Sequence, residues 1–200
     1  MRQVTGRTNP QKDLQKVSIR IFSDGHSFPD RGISALSEPS RAKIELISPR
    51  TTLVPASEFN PDLATEYLTL SGLQPLDSES VVWSATTSPC VAVMAISREL
   101  LKSLPEGCEF SSPLQAEYRP AMESVTLELI ENILYIKVYQ HTTLNWAEVV
   151  RCETENDALY YITCLAEHFP LKKLQLRALG TETKSLIKRV KSHFKNCVCE

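Results

Sequence analysis

Ser23, Asp24, Gly25 and Ser27 are residue types that a phosphate-binding turn uses. They follow an apolar segment of alternating pattern, Val17 to Phe22, which predicts a β-strand. Glycine lets backbone N–H groups approach phosphate oxygens, a carboxylate can hold magnesium through water, and a hydroxyl adds a donor. The four residues are therefore candidates for binding a nucleotide phosphate together with magnesium.

The same residues also fit a purely structural turn. Asp-Gly after an apolar strand is typical of a β-hairpin, because both residue types tolerate a positive φ angle. The chain has six glycines, and none belongs to a G-x-x-x-x-G-K-[ST] or G-x-G-x-x-G motif. The hairpin turn is the favoured interpretation, and the phosphate-binding turn is the alternative.

Composition and charge indicate a globular protein without a general attraction to polyanions. Hydrophobic residues make up 42% of the chain and charged residues 23%, with a formal net charge of −2. The N-terminus lacks the apolar core of a signal peptide, and no apolar run approaches the roughly 20 residues of a membrane-spanning helix. We therefore expect a cytoplasmic protein that does not insert into membranes and does not bind nucleic acid.

The six cysteines do not form a disulfide framework or a complete zinc site. Only Cys197 and Cys199 are close in sequence, and a zinc site needs two such pairs. We expect reduced thiols and no metal site. Cys197 and Cys199 would bind a metal only if other residues completed the site.

The elements that must position these residues fall into two halves. Residues 1–15 are polar and predict a disordered tail, and the proline-containing residues 111–121 predict a linker. Residues 16–110 predict the order β-β-β-α-β-β-α, with Ser57 as the cap of the first helix. Residues 122–200 predict β-β-β-α-β-α, with a capping signal at 154–157 and tight turns at Glu131-Asn132 and His141-Thr142.

The order of elements predicts a mixed α/β fold. An antiparallel meander followed by a helix and a parallel strand gives a mixed sheet, which is the ribonuclease-H-like order. Two copies make an actin-like architecture. We therefore expect a duplicated ribonuclease-H-like fold with two β-β-β-α-β-α lobes, at 16–110 and 122–200.

The chain resembles an uncharacterised bacterial family, domain of unknown function 3822, whose fold is actin-like. Its most specific features are TLVP followed by a phenylalanine, and a Tyr-Tyr pair before an apolar helix. The resemblance covers most of residues 16–195 and implies a fold rather than a function. The residues that carry it are SIRIFSDGHSF (18–28), TLVPASEFNPDLATEYLTL (52–70), NDALYYITCLAEHF (156–169) and LQLRALG (174–180).

In actin-like ATPases, two Asp-Gly hairpins, one in each half, wrap the nucleotide phosphates. The corresponding turns of the second half, Glu131-Asn132 and His141-Thr142, contain neither glycine nor aspartate. The sequence therefore favours a non-catalytic interaction or scaffold module with degraded phosphate loops, an unknown protein partner and no cofactor. The alternative is a weak ATP-binding protein or ATPase that uses Ser23, Asp24, Gly25 and Ser27 with magnesium.

Other chemistries have weaker support. A two-metal nuclease would need clustered carboxylates, for which the candidates are Asp24, Glu128, Asp157 and Glu167. The four histidines show no metal-binding or catalytic spacing, so we expect them at the surface. The last helix carries a basic face opposite its apolar one, which fits either a solvated surface or an anionic partner. Its cations are Lys184, Lys188, Arg189, Lys191 and Lys195.

Overall fold

The computed structural model describes residues 18–25, 43–115, 123–170, 175–179, 184–193 and 197–199. The first half contains β1 (Ser18–Phe22), β2 (Lys43–Ile47), β3 (Thr51–Pro55), α1 (Ala64–Leu70), β4 (Glu79–Trp83), β5 (Cys90–Ser97), α2 (Arg98–Ser103) and β6 (Glu109–Ser111). The second half contains β7 (Glu123–Ile130), β8 (Ile133–Gln140), β9 (Thr143–Arg151), α3 (Glu155–His168), β10 (Gln175–Leu179), α4 (Lys184–His193) and β11 (Cys197–Cys199).

The first half forms two three-stranded sheets instead of the predicted meander. One sheet has the order β1-β2-β6 and is parallel, and the other has the order β3-β5-β4 and is antiparallel. Because β1 and β2 run parallel, the Asp24-Gly25 turn does not join them as a hairpin, and that prediction is wrong. Parallel neighbours need a crossover of about a dozen residues or more, and residues 26–42 are long enough to supply one.

The second half forms one five-stranded mixed sheet in the order β11-β10-β7-β8-β9. Strands β7, β8 and β9 are the predicted antiparallel meander, and β10 pairs with β7 in parallel as predicted. The two tight turns are confirmed, with positive φ at Glu131 (50°), His141 (52°) and Thr142 (66°). Strand β11, at Cys197 and Cys199, was not predicted. The strand pairing of the first half therefore differs from that of the second half.

Local sequence signals explain where the helices begin. Helix α3 begins with a capping box, in which Thr154 and Asp157 exchange side-chain and backbone hydrogen bonds. Ser57 is not a cap. Instead, the Asn60 side chain accepts from the Asp62 N–H and starts a short 3-10 helix at Pro61, which leads into α1.

The hydrophobic core is divided among clusters within and between the halves. One face of the five-stranded sheet packs against α3 and α4, and Leu186, Ile187 and Val190 of α4 are buried as predicted. The other face of this sheet contacts the first half. None of the described helices is long and apolar enough to cross a membrane.

The predicted domain boundaries remain a prediction. The tail 1–15 lies outside the described residues, as does part of the predicted linker 111–121. The described part of that linker is well packed, because Ser112, Pro113 and Leu114 are buried and Pro113–Gln115 forms a 3-10 helix.

Candidate functional site

The candidate phosphate-binding residues lie in a turn at the end of β1. Gly25 adopts the expected positive φ angle, 96°. Asp24 is exposed, whereas Ser23 is buried. Ser27 lies outside the described residues.

Two N–H groups of this turn are bonded within the protein. The Ser23 N–H donates to the Ile47 carbonyl at 2.9 Å, and the Gly25 N–H donates to the Phe22 carbonyl at 3.0 Å. The Ser23 carbonyl accepts from the Ser97 N–H at 2.8 Å. A phosphate-binding turn directs such N–H groups towards its ligand. The bonds support a structural role for the turn, and nucleotide binding by its residues stays a prediction.

The structure brings this turn close to one of the two turns of the second half. Phe22, directly before the first turn, packs in one cluster with Ile130 and Ile133, which flank Glu131-Asn132. The His141-Thr142 turn lies at the opposite end of β8. The turn near Phe22 carries a glutamate side chain where the actin-like pattern has glycine.

Side chains fill the space between the two halves beside these turns. The cluster there is buried and draws on β1, β2, β7, β8 and β9; its buried members are Phe22, Ile47, Leu114, Ile130, Ile133, Tyr135 and Val149. The Tyr135 hydroxyl accepts from the Ser48 N–H at 3.0 Å and donates to the Ser48 carbonyl at 3.3 Å. The halves are therefore joined by both apolar packing and buried hydrogen bonds.

A partly buried ionic cluster, formed by Arg20, Glu45, Glu128 and Lys137, continues this interface. Arg20 pairs with Glu45 on the adjacent strand, and its Nη2 lies 3.4 Å from Oε1 of Glu128 in the other half. Lys137 is 1% exposed and donates from Nζ to the Pro113 carbonyl at 3.1 Å. Four charges thus meet on facing sheets of the two halves.

Burial changes the titration of this cluster. It raises the pKa of Glu128, an effect that Arg20 opposes by charge attraction. It lowers the pKa of Lys137 to about 8, an effect that the carboxylate of Glu128 opposes. Oε2 of Glu128 is buried and has no hydrogen-bond donor among the described residues. The cluster therefore carries a desolvation cost that its charge pairing only partly offsets.

A polar cleft of about 490 Å³ borders the ionic cluster. Glu45 contributes to both, and the other lining residues include Lys43, Ser84, Glu109, Ser111 and Gln115. Gln115 is held in place by bonds from Nε2 to Ser84 Oγ at 2.7 Å and to the Cys90 carbonyl at 2.9 Å. Asp24 and Gly25 do not line this cleft. Its described lining contains hydroxyls and charges but neither histidine nor cysteine.

The nuclease carboxylates are not brought together. Glu128 faces the first half, whereas Asp157 and Glu167 belong to α3 on the other face of the sheet. Asp157 serves the capping box, and Glu167 is exposed. Within the described part of the chain, no group of three or more His, Cys, Asp or Glu side chains could hold a metal ion.

The described histidine and basic side chains are mostly ordinary surface groups. His141 and His168 are exposed, and so are Lys188 and Lys191 of α4. Arg189 lies 3.5 Å from Glu155 of α3, so this cation stabilises helix packing. These contacts fit a solvated surface.

The aromatic residues of the second half divide between core and surface. Tyr135 is buried between the halves, while Trp146 pairs in register with Val138 and packs against Phe169 at 5.9 Å. A register irregularity between Val138 and Tyr139 accompanies this pairing.

Neither a family model nor a curated protein matches the chain. Several solved structures are similar to it, including the following two. One is a Bacteroides thetaiotaomicron protein with an actin-like ATPase fold and unknown function, at a TM-score of 0.72 and 18% identity. That match covers 98% of this chain and 94% of the other.

The second is the cytoplasmic domain of EpsL, an inner-membrane component of the type II secretion system of Vibrio cholerae. Its TM-score is 0.39 at 12% identity, with 80% of each chain covered. The likeness to the Bacteroides protein shows the fold alone. The chain has an actin-like ATPase fold.

Proposed function

We propose that this protein is a non-catalytic interaction module built on the actin-like ATPase fold. The observation that carries the proposal is the bonding of the Ser23 and Gly25 N–H groups beside a side-chain-filled interface. An actin-like nucleotide site would need these donors free and the neighbouring space open. The fold is therefore used to present surfaces to a protein partner in the cytoplasm.

Two finer assignments belong to the same proposal. The strand order β11-β10-β7-β8-β9, with β8 antiparallel to both neighbours, supports a ribonuclease-H-like lobe over residues 122–200. The actin-like fold also supports membership of domain of unknown function 3822.

Adding ATP and magnesium at millimolar concentration is expected to leave the melting temperature unchanged. A ligand that binds only the native state would stabilise it by about 2.7 kcal/mol at 100 times its dissociation constant. Thermal unfolding of the wild type, of Asp24→Ala and of the exposed control Glu153→Ala tests this. A rise in melting temperature that Asp24→Ala alone removes would overturn the proposal and establish the ATP-binding alternative.

A further inference from the structure

The first half carries a groove between the start of α1 and strand β4. Its volume is about 360 Å³, within the roughly 300–1,000 Å³ typical of binding pockets. Its lining includes Asp62, Thr65, Leu76, Asp77, Val81 and Trp83. We call it the acidic groove.

Apolar side chains are open to solvent in the acidic groove. Leu76 is 52% exposed and Trp83 is 39% exposed. The Trp83 ring contacts Phe59 at 5.9 Å between centroids, and Phe59 contacts Tyr67 at 6.0 Å. The Tyr67 hydroxyl donates to the Glu58 carbonyl at 2.8 Å and accepts from the Asn60 N–H at 3.1 Å. The aromatic wall is therefore held in position before any partner binds.

The charge around these side chains is strongly one-sided. Residues 56–83 contain Glu58, Asp62, Glu66, Asp77 and Glu79, and no lysine, arginine or histidine. Glu79 already binds Arg50 at 3.0 Å and the Leu76 N–H at 2.8 Å. The other four carboxylates are exposed and have no ion-pair partner among the described residues.

One cation, Arg98, also lines the groove. Its Nε donates to the Glu79 carbonyl at 3.0 Å, so the guanidinium is held at the first residue of β4. Because Glu79 is paired with Arg50, Asp62 and Asp77 leave the described groove lining with one more negative than positive charge. Glu58 and Glu66 add negative charge on the adjoining segment. The groove thus combines preformed apolar surface with an excess of negative charge.

We propose that the acidic groove docks a basic amphipathic segment of a partner protein. An apolar side chain of that segment would fill the groove against Leu76 and Trp83, as buried anchors do in protein interfaces. Its lysine or arginine side chains would face Asp62 and Asp77, which favours association and orientation by complementary charge. This assignment rests on the proposed interaction function and adds the site and the chemistry of the partner.

A labelled amphipathic peptide of about 14 leucines and lysines tests the proposal by fluorescence anisotropy with the full chain. We expect saturable binding that weakens as salt is raised, and no binding of the matched leucine and glutamate peptide. Asp62→Asn combined with Asp77→Asn should weaken binding about tenfold. The matched control, Glu153→Gln with Glu167→Gln, removes two exposed carboxylates of the second half. It should change the affinity for the leucine and lysine peptide less than about twofold.

A second pair of variants tests the apolar part of the site. Leu76→Ser should weaken peptide binding several-fold. Leu70→Ser is the control and should not weaken it, because Leu70, although 85% exposed, lies outside the groove lining. Equal effects of groove and control variants, or absence of binding, would overturn the groove assignment. That outcome would leave the interaction function standing, because the nucleotide experiment tests it separately.

Discussion

Replacing Lys137 with methionine and Glu128 with glutamine together is expected to raise the free energy of unfolding by about 1–3 kcal/mol at pH 7. Lys137 is 1% exposed, and burial lowers its pKa to about 8 although the carboxylate of Glu128 opposes this shift. The charged ammonium is therefore less stable in the folded protein than in water, and burial raises the pKa of Glu128 for the same reason. Uncharged side chains of similar size avoid this desolvation cost, and the glutamine amide keeps an acceptor for Arg20.

Urea unfolding of the single and double variants at pH 7 checks this expectation. Lys137→Met alone leaves the Pro113 carbonyl without this donor and Glu128 without an attracting charge, so it should gain less stability than the double variant. A double variant that is less stable than the wild type by more than about 1 kcal/mol would contradict the desolvation argument.

The pH dependence of stability checks the same pair. The pKa of Lys137 is about 8 in the folded protein, below the roughly 10.4 of an unfolded lysine. Between these values the unfolded chain binds more protons, so the stability of the wild type rises with pH in this window. The wild type should therefore gain about 1–2 kcal/mol over Lys137→Met between roughly pH 7.5 and 9.5.

Replacing Phe22 with alanine is expected to cost about 3–4 kcal/mol of stability. Phe22 is 6% exposed and packs with Ile47 of its own half and Ile130 and Ile133 of the other. Truncation opens a cavity between the halves that neighbouring strands cannot fully close.

The exposed Leu70→Ala is the control for Phe22→Ala and should change stability by less than about 0.5 kcal/mol in the same urea experiment. If Phe22→Ala cost no more than this control, the inter-half space would be loosely packed. The argument for a filled cleft would then fail.

Much of the second half was predictable from the sequence because its signals are local. Strand β8 matches its predicted bounds, since a tight turn at each end fixes its pairing with the neighbouring strands. The start of helix α3 was marked by the capping signal at 154–157, which the structure shows as a capping box at Thr154. Strand β11 was missed because the three residues Cys197–Cys199 are too short to show a period.

The first half was less predictable because strand pairing there is non-local. The Asp24-Gly25 pair correctly indicated a turn with positive φ, but a turn signal does not fix which strand comes next to β1. Parallel pairing of β1 with β2 depends on residues far apart in sequence. The observed N-cap is Asn60 and not the predicted Ser57, because Pro61 is favoured at the first position of a helix.

The ionic cluster between the halves escaped sequence reasoning almost entirely. Arg20, Glu45 and Lys137 each alternate with apolar residues along a strand, and that pattern is typical of a solvent-exposed face. The polar face instead packs against the other half. Glu128 was considered as a nuclease ligand, and its pairing with Arg20 across the halves carries no sequence signal.

Amide hydrogen exchange at Ser23, measured with and without ATP and magnesium, tests the central claim most directly. The account predicts that the Ser23 N–H, bonded to Ile47 at 2.9 Å in a buried position, is protected in the free protein and unchanged by nucleotide. Fast exchange in the free protein, with protection appearing only when ATP and magnesium are added, would contradict it. The turn after β1 would then be a phosphate-binding loop.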